Sequence, residues 1–161
     1  MLEKLILHNF KSHKSTEFNF DNSRLHGLVG KNSAGKTSVL QALHNLSRLT
    51  ASPFKNIFQY DRSPQFITTI GEKDMSVTAS GFWSDKNRQD WQISYNWNQQ
   101  NGSWFPRGSF IVNKSKGSLA GGTSSFENSS DVIRKSLKHT VYLKLSASNL
   151  AKPAYSDQIT P

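Results

Sequence analysis

Residues Gly30-Lys31-Asn32-Ser33-Ala34-Gly35-Lys36-Thr37 place two glycines, a lysine and a hydroxyl at the spacing GxxxxGK(S/T). Each position has a chemical reason. Glycines let the backbone curl until successive N–H groups point at one anion. Lys36 is long enough to reach the outer phosphates of a nucleotide as a point charge. The Thr37 hydroxyl can take one place around Mg²⁺, an ion that prefers oxygen ligands. The candidate nucleotide-binding residues are therefore Gly30, Lys31, Asn32, Ser33, Ala34, Gly35, Lys36, Thr37 and Ser38, with Thr37 as the candidate metal contact and ATP with Mg²⁺ as the ligand.

Such a loop works only between a strand and a helix. Leu25-His26-Gly27-Leu28-Val29 is a short apolar run that suits a buried strand. Thr37 to Arg48 carries Val39, Leu40, Leu43 and Leu46 at helical spacing. The order strand, loop, helix sets the phosphates on a helix N-terminus, where the dipole favours negative charge.

The other elements follow from alternation. Leu2 to His8 reads as a strand, with Leu5 and Leu7 set against Ile6. Ser15 to Phe20 reads as a second, through Phe18 and Phe20, and Asp21-Asn22-Ser23 as a turn. Thr50 to Pro64 has no period. Met75, Val77 and Ala79 alternate on a strand that can run on to Trp83, and Trp91, Ile93, Tyr95 and Trp97 alternate on the next. Asn101-Gly102 marks a hairpin loop between that strand and one carrying Phe110 and Val112. This is an antiparallel meander rather than a βαβ repeat. The tryptophans could be a base-stacking platform, but their alternation favours a packed face. Ser115 to Ser130 reads as a loop, a short helix capped by Ser129, Ser130 or Asp131 runs to about Lys138, and Val141, Leu143 and Leu145 form a last strand. The tail from Ser146 to Pro161 carries no terminating element and is expected to be a chain cut within a loop.

Hydrophobic residues make up 35% of the 161, enough for a polar single core, and no apolar run suggests a transmembrane helix or a signal peptide. The absence of cysteine excludes disulfides and thiolate metal sites and fits a reducing cytoplasm. The five histidines show no metal-ligand spacing. The net charge of +9 suits a polyanion partner, nucleotide or nucleic acid. The basic residues are spread along the chain, however, so a solvated face remains the alternative.

The first 49 residues resemble the N-terminal half of an ABC-type ATPase head, of the group that includes SMC proteins, RecF, the double-strand-break repair ATPases and the OLD-type ATPases. Asn9-Phe10-Lys11-Ser12-His13 matches the family's N-F-(K/R)-S opening. Lys31 to Thr37 matches its loop, and Val39-Leu40-Gln41-Ala42-Leu43 its first helix. The resemblance implies an α/β phosphate-loop NTPase half-domain: an N-terminal strand pair, the loop and helix, then an antiparallel β-meander. It implies that Lys11 and Ser12 lie beside the nucleotide and that Asn32 sits at the loop tip, facing a partner head.

The same resemblance exposes gaps. No apolar run ends in Asp-Glu as a Walker B strand does: Val141 to Leu145 is followed by Ser146, and Asp61 by Arg62. Leu119-Ala120-Gly121-Gly122-Thr123 is only weakly similar to the signature LSGGQ and lacks its Ser and Gln. No Gln stands where a Q-loop sensor would, and no catalytic residue is identified. Residues 1–161 are thus expected to be the N-terminal lobe of a head, with Walker B and signature in a further lobe. Hydrolysis would need two heads, a second copy being the expected partner, in DNA repair, chromosome maintenance or phage defence. A non-hydrolysing ATP-sensing module is the alternative, and a small P-loop kinase a weaker one.

Overall fold

The structure is a computed structural model, and it describes residues 1–23, 25–49, 66–85, 87–113 and 115–118. Its elements are β1 (Leu2–Phe10), β2 (His13–Asn19), α1 (Lys36–Leu49), β3 (Asp74–Asp85), β4 (Asn87–Gln100), β5 (Ser103–Val112) and β6 (Ser115–Ser118). The strands form one antiparallel sheet in the order β2-β1-β3-β4-β5-β6. β3 to β5 are the expected meander, and β6 extends it by one strand. β1 inserts the N-terminal hairpin beside it.

Period-two alternation selects the buried face. In register, Leu5, Ala79, Ile93 and Phe110 form one row across the sheet, and Leu7, Val77 and Tyr95 the next. All seven are buried, together with Met75 and Trp91. Val39, Ala42, Leu46 and Leu49 of α1 join them in one core. Burying each large aliphatic or aromatic side chain stabilises the fold by about 1.5–3 kcal/mol. The opposite face carries Gln92, Ser94 and Asn96, half-exposed, with Ser94 Oγ and Ser109 Oγ 2.8 Å apart across β4 and β5. Trp91 is therefore core, Trp97 packs at the core's margin, and the packed-face reading holds for both. The Asn101-Gly102 loop is also as expected. Both residues have positive φ, 49° and 78°, as a two-residue hairpin turn requires.

Three expectations need correction. Leu25–Val29 is not a buried strand: it joins no strand, and Leu25 and Val29 are 87% and 98% exposed. Leu40, expected on the apolar stripe of the helix, is 44% exposed, because α1 lays Val39, Ala42, Leu46 and Leu49 on the sheet instead. The loop expected from Ser115 begins as β6, which pairs with Ser109–Val112. Element ends shift by a few residues: β1 reaches Phe10, β2 spans His13–Asn19, α1 starts at Lys36, and β3 runs past Trp83 to Asp85. Thr50 to Pro64, the helix to Lys138, the Val141–Leu145 strand and the segment Leu119–Thr123 lie outside the described residues.

Candidate nucleotide-binding site

The loop that precedes α1 is shaped by two left-handed residues, Ser33 at φ 65° and Gly35 at φ 85°. A turn bond from Ala34 N to Lys31 O, 3.2 Å, closes its tip. The Gly35 carbonyl starts the helix by accepting Val39 N at 3.1 Å. The free N–H groups of the first turn therefore face the loop's hollow. No acidic residue stands in that turn, so the helix's positive end is not neutralised from within.

Lys36 folds back over the hollow. Its Nζ donates to Gly30 O and to Lys31 O, each at 2.7 Å. Those carbonyls hold the ammonium against the loop backbone. Thr37 and Asn32 are exposed at the helix start and loop tip, Ser38 half-buried. The donor set suits a phosphate chain: backbone N–H groups, one ammonium and a hydroxyl able to face a hard cation. Among the described residues no group of three or more His, Cys, Asp or Glu could hold a metal ion.

The β1–β2 hairpin reaches the loop from the side. Phe10 pairs with His13, so Lys11 and Ser12 form a two-residue tip, with Lys11 at φ 54°. The segment after the undescribed stretch braces the tip. Lys11 N donates to Ile67 O and Thr69 N to Asn9 O, both at 2.8 Å, and Thr69 Oγ1 donates to Lys11 O at 2.9 Å. Ser12 and His13 then lie directly against Gly35. A β-carbon built on Gly35 would fall 2.5 Å from His13 Nε2 and 2.7 Å from Ser12 Oγ. Lys11 departs from its expected position. Its ammonium bonds Gln41 Oε1 on α1 at 2.5 Å rather than turning into the hollow. Sequence reasoning assigned no role to His13 or Gln41. The position of His13 immediately after the N-F-K-S turn was the available signal for one; Gln41 carried none.

The described acidic side chains are engaged elsewhere or exposed. Asp74 Oδ2 lies 3.0 Å from His8 Nε2, and Asp74 Oδ1 accepts from Asn9 Nδ2 at 3.4 Å. Asp21 Oδ1 accepts Ser23 N at 2.8 Å, and its hydrogen bonds to Ser23 hold its carboxyl below the ordinary carboxylate value. A cavity of about 700 Å³ flanks the loop on the side of Leu28, Val39, Leu40 and Leu43, with Lys36 and Thr37 at its rim. Its walls are mostly apolar, with Asp21, Ser23, His26, Lys36 and Thr37 as the polar groups that line it.

A strand hairpin, a GxxxxGKT loop and a helix on an antiparallel sheet define a phosphate-loop NTPase half-domain of the ABC/SMC-head type. A family model described as AAA ATPase domain matches residues 1–152, and the chain belongs to that family. Among solved structures the fold is similar to one described in work on the ATP-driven dimerisation and DNA-stimulated activation of SMC ATPases. That match has a TM-score of 0.51 and 20% identity over 73% of this chain and 72% of the other. No curated protein matches the chain significantly. ATP binding and hydrolysis are thus the activity of its class. No helix among the described residues is long and apolar enough to cross a membrane.

Proposed function

We propose that this chain binds ATP with Mg²⁺ through Gly30–Ser38 and serves as the N-terminal lobe of an SMC-like ATPase head. The carrying observation is Lys36, whose ammonium is held over the loop by the Gly30 and Lys31 carbonyls at the open end of α1. On binding it exchanges those carbonyls for phosphate oxygens, while the first-turn N–H groups meet the same anion. Thr37 would offer its hydroxyl to Mg²⁺, which supplies charge neutralisation at the outer phosphates. Ser12, against Gly35, borders the same hollow. Lys11 reaches it only by leaving Gln41.

Hydrolysis in this reading belongs to a dimer of heads. The exposed aliphatic residues Leu25, Val29 and Leu40 support a covering lobe that would also bring the missing carboxylates. Work on DNA fits the charge of +9, and a cytoplasmic setting fits the lack of cysteine. The second reading is an ATP-sensing module that does not hydrolyse. It is favoured by the engagement of Asp74 with His8 and Asn9, away from the loop. Calorimetric titration of ATP–Mg²⁺ tests the shared core of both. The wild type should bind, and Lys36→Ala should bind about tenfold to a hundredfold more weakly; equal affinity refutes the site.

A further inference from the structure

We infer that His13 is a positioning residue for the phosphate loop, acting through the Gly35 carbonyl on the Lys36 amide; the inference rests on the nucleotide-binding reading above. His13 is 9% exposed, and its ring has three contacts. Nε2 lies 3.2 Å from Gly35 O, Nδ1 lies 3.0 Å from Thr16 Oγ1, and the ring meets Phe18 edge-on at 6.4 Å between centroids. A carbonyl oxygen only accepts, so Nε2 carries the hydrogen. In the neutral ring Nδ1 is then the acceptor, and the Thr16 hydroxyl donates to it. The Gly35 carbonyl thus sets the tautomer, and the Thr16 hydroxyl, able to donate, matches it.

Holding this carbonyl has a consequence one atom away. No peptide bond among the described residues is cis, and in a planar trans peptide C=O and N–H point in opposite directions. The Gly35–Lys36 peptide turns its oxygen toward His13 and Val39 N, so its N–H points out of the helix into the loop's hollow. Val39 N holds the same oxygen from the helix side, while Gly35, with no β-carbon and φ at 85°, adds no steric restraint of its own. The ring fills the space where a side chain would stand and is a second hold on that peptide. A donor on the oxygen also polarises the peptide and strengthens its N–H as a donor to phosphate. The ring itself sits on a rigid mount, because its hairpin is braced by Ile67 and Thr69. His13 touches no phosphate in this arrangement; it sets the direction of a group that does.

The test compares His13→Phe, which keeps a flat ring without a donor, and His13→Gln, whose amide nitrogen can reach the Nε2 position. Each is titrated with ATP–Mg²⁺ by calorimetry beside the wild type and Lys36→Ala. Ring ¹⁵N shifts of the wild type and the Lys36 amide shift of all forms are recorded without nucleotide. Removing one neutral hydrogen bond should weaken binding about threefold to tenfold in His13→Phe, with recovery to within about twofold in His13→Gln. The Lys36 amide should move in His13→Phe and return in His13→Gln, and the wild-type ring should carry its hydrogen on Nε2. Wild-type affinity in His13→Phe, or a ring hydrogen on Nδ1, overturns the inference while leaving the nucleotide site intact. If His13→Phe does not fold, a loss of affinity in His13→Gln as large as that expected of His13→Phe overturns it instead. A wild type that binds no ATP overturns the nucleotide reading, and with it the role of His13.

Discussion

Gly35→Ala separates the cost of a left-handed backbone from the cost of crowding. At φ 85° an alanine carries a strain of about 1–2 kcal/mol. Its new β-carbon would also stand 2.5 Å from His13 Nε2, 3.0 Å from His13 Cε1 and 2.7 Å from Ser12 Oγ. Ser12 is exposed and can turn aside, but the buried His13 ring cannot without leaving Gly35 O and Thr16. Displacing a packed ring adds about 1–3 kcal/mol, for a total of about 2–5 kcal/mol. Two controls are built into the fold. Gly71 at φ 88° and Gly102 at φ 78° have nothing within 4 Å of a built β-carbon. Their alanine variants should lose only the backbone part, about 1–2 kcal/mol. Urea unfolding of the three variants, at equal slope, reads the difference. Calorimetry should also find ATP–Mg²⁺ binding lost in Gly35→Ala and kept in Gly102→Ala. If Gly35→Ala is no less stable than Gly102→Ala and binds nucleotide like the wild type, the contact between hairpin and loop is not as described.

Lys36→Ala should weaken ATP–Mg²⁺ binding by about tenfold to a hundredfold, the worth of a charge-assisted hydrogen bond, with little change in the melting temperature of the free protein. Trp91→Ala should cost about 3–5 kcal/mol in urea unfolding, because Trp91 is 4% exposed in the central strand. Phe105→Ala, at 46% exposure, should stay within about 0.5 kcal/mol. His44 on α1 has its pKa lowered from the ordinary 6.5 by burial and then by the charge of Arg48. The unfolded ring therefore takes up its proton first as pH falls. The stability this group supports is complete above about pH 6.5 and declines as pH drops below it. Comparing unfolding midpoints at about pH 7.5 and about pH 5 should show that decline reduced in His44→Gln; an identical decline in both proteins removes His44 as its source. Phosphate release by this chain should be negligible beside that of a two-lobed head, since the sequence carries no Asp-Glu pair at the end of an apolar strand; full turnover that Lys36→Ala abolishes would point to a catalytic acid among Asp61, Glu72, Asp74 and Glu127.

The meander was legible because its signal is local. Trp91, Ile93 and Tyr95 alternate with Gln92, Ser94 and Asn96, and a strand permits one assignment of faces once one side is buried. The Asn101-Gly102 turn was equally readable, since few other residue pairs accept positive φ twice in succession. The phosphate loop was legible for a different reason: its function fixes residue types at fixed spacing, whatever surrounds it. Ser115–Ser118 was misread because Ser-Lys-Gly-Ser has no strand propensity. It becomes β6 only because β5 offers Ser109–Val112 as a template.

What sequence could not supply is the neighbour. Leu25–Val29 has a strand's composition, and Leu40 an apolar stripe's position, yet both are exposed here because burial needs a second surface as well as a hydrophobic residue. The cavity lined by Leu28, Leu40 and Leu43 reaches Val39 at the edge of the core, so the exposed Leu40 stands beside the helix stripe that packs on the sheet. The same limit hid His13. Its bond to Gly35 joins residues 22 apart in sequence. A histidine after a turn has no chemical meaning until the Phe10–His13 pairing brings its ring to the loop. Motif spacing identifies the groups that touch a phosphate; the groups that aim them are found only where the chain folds back.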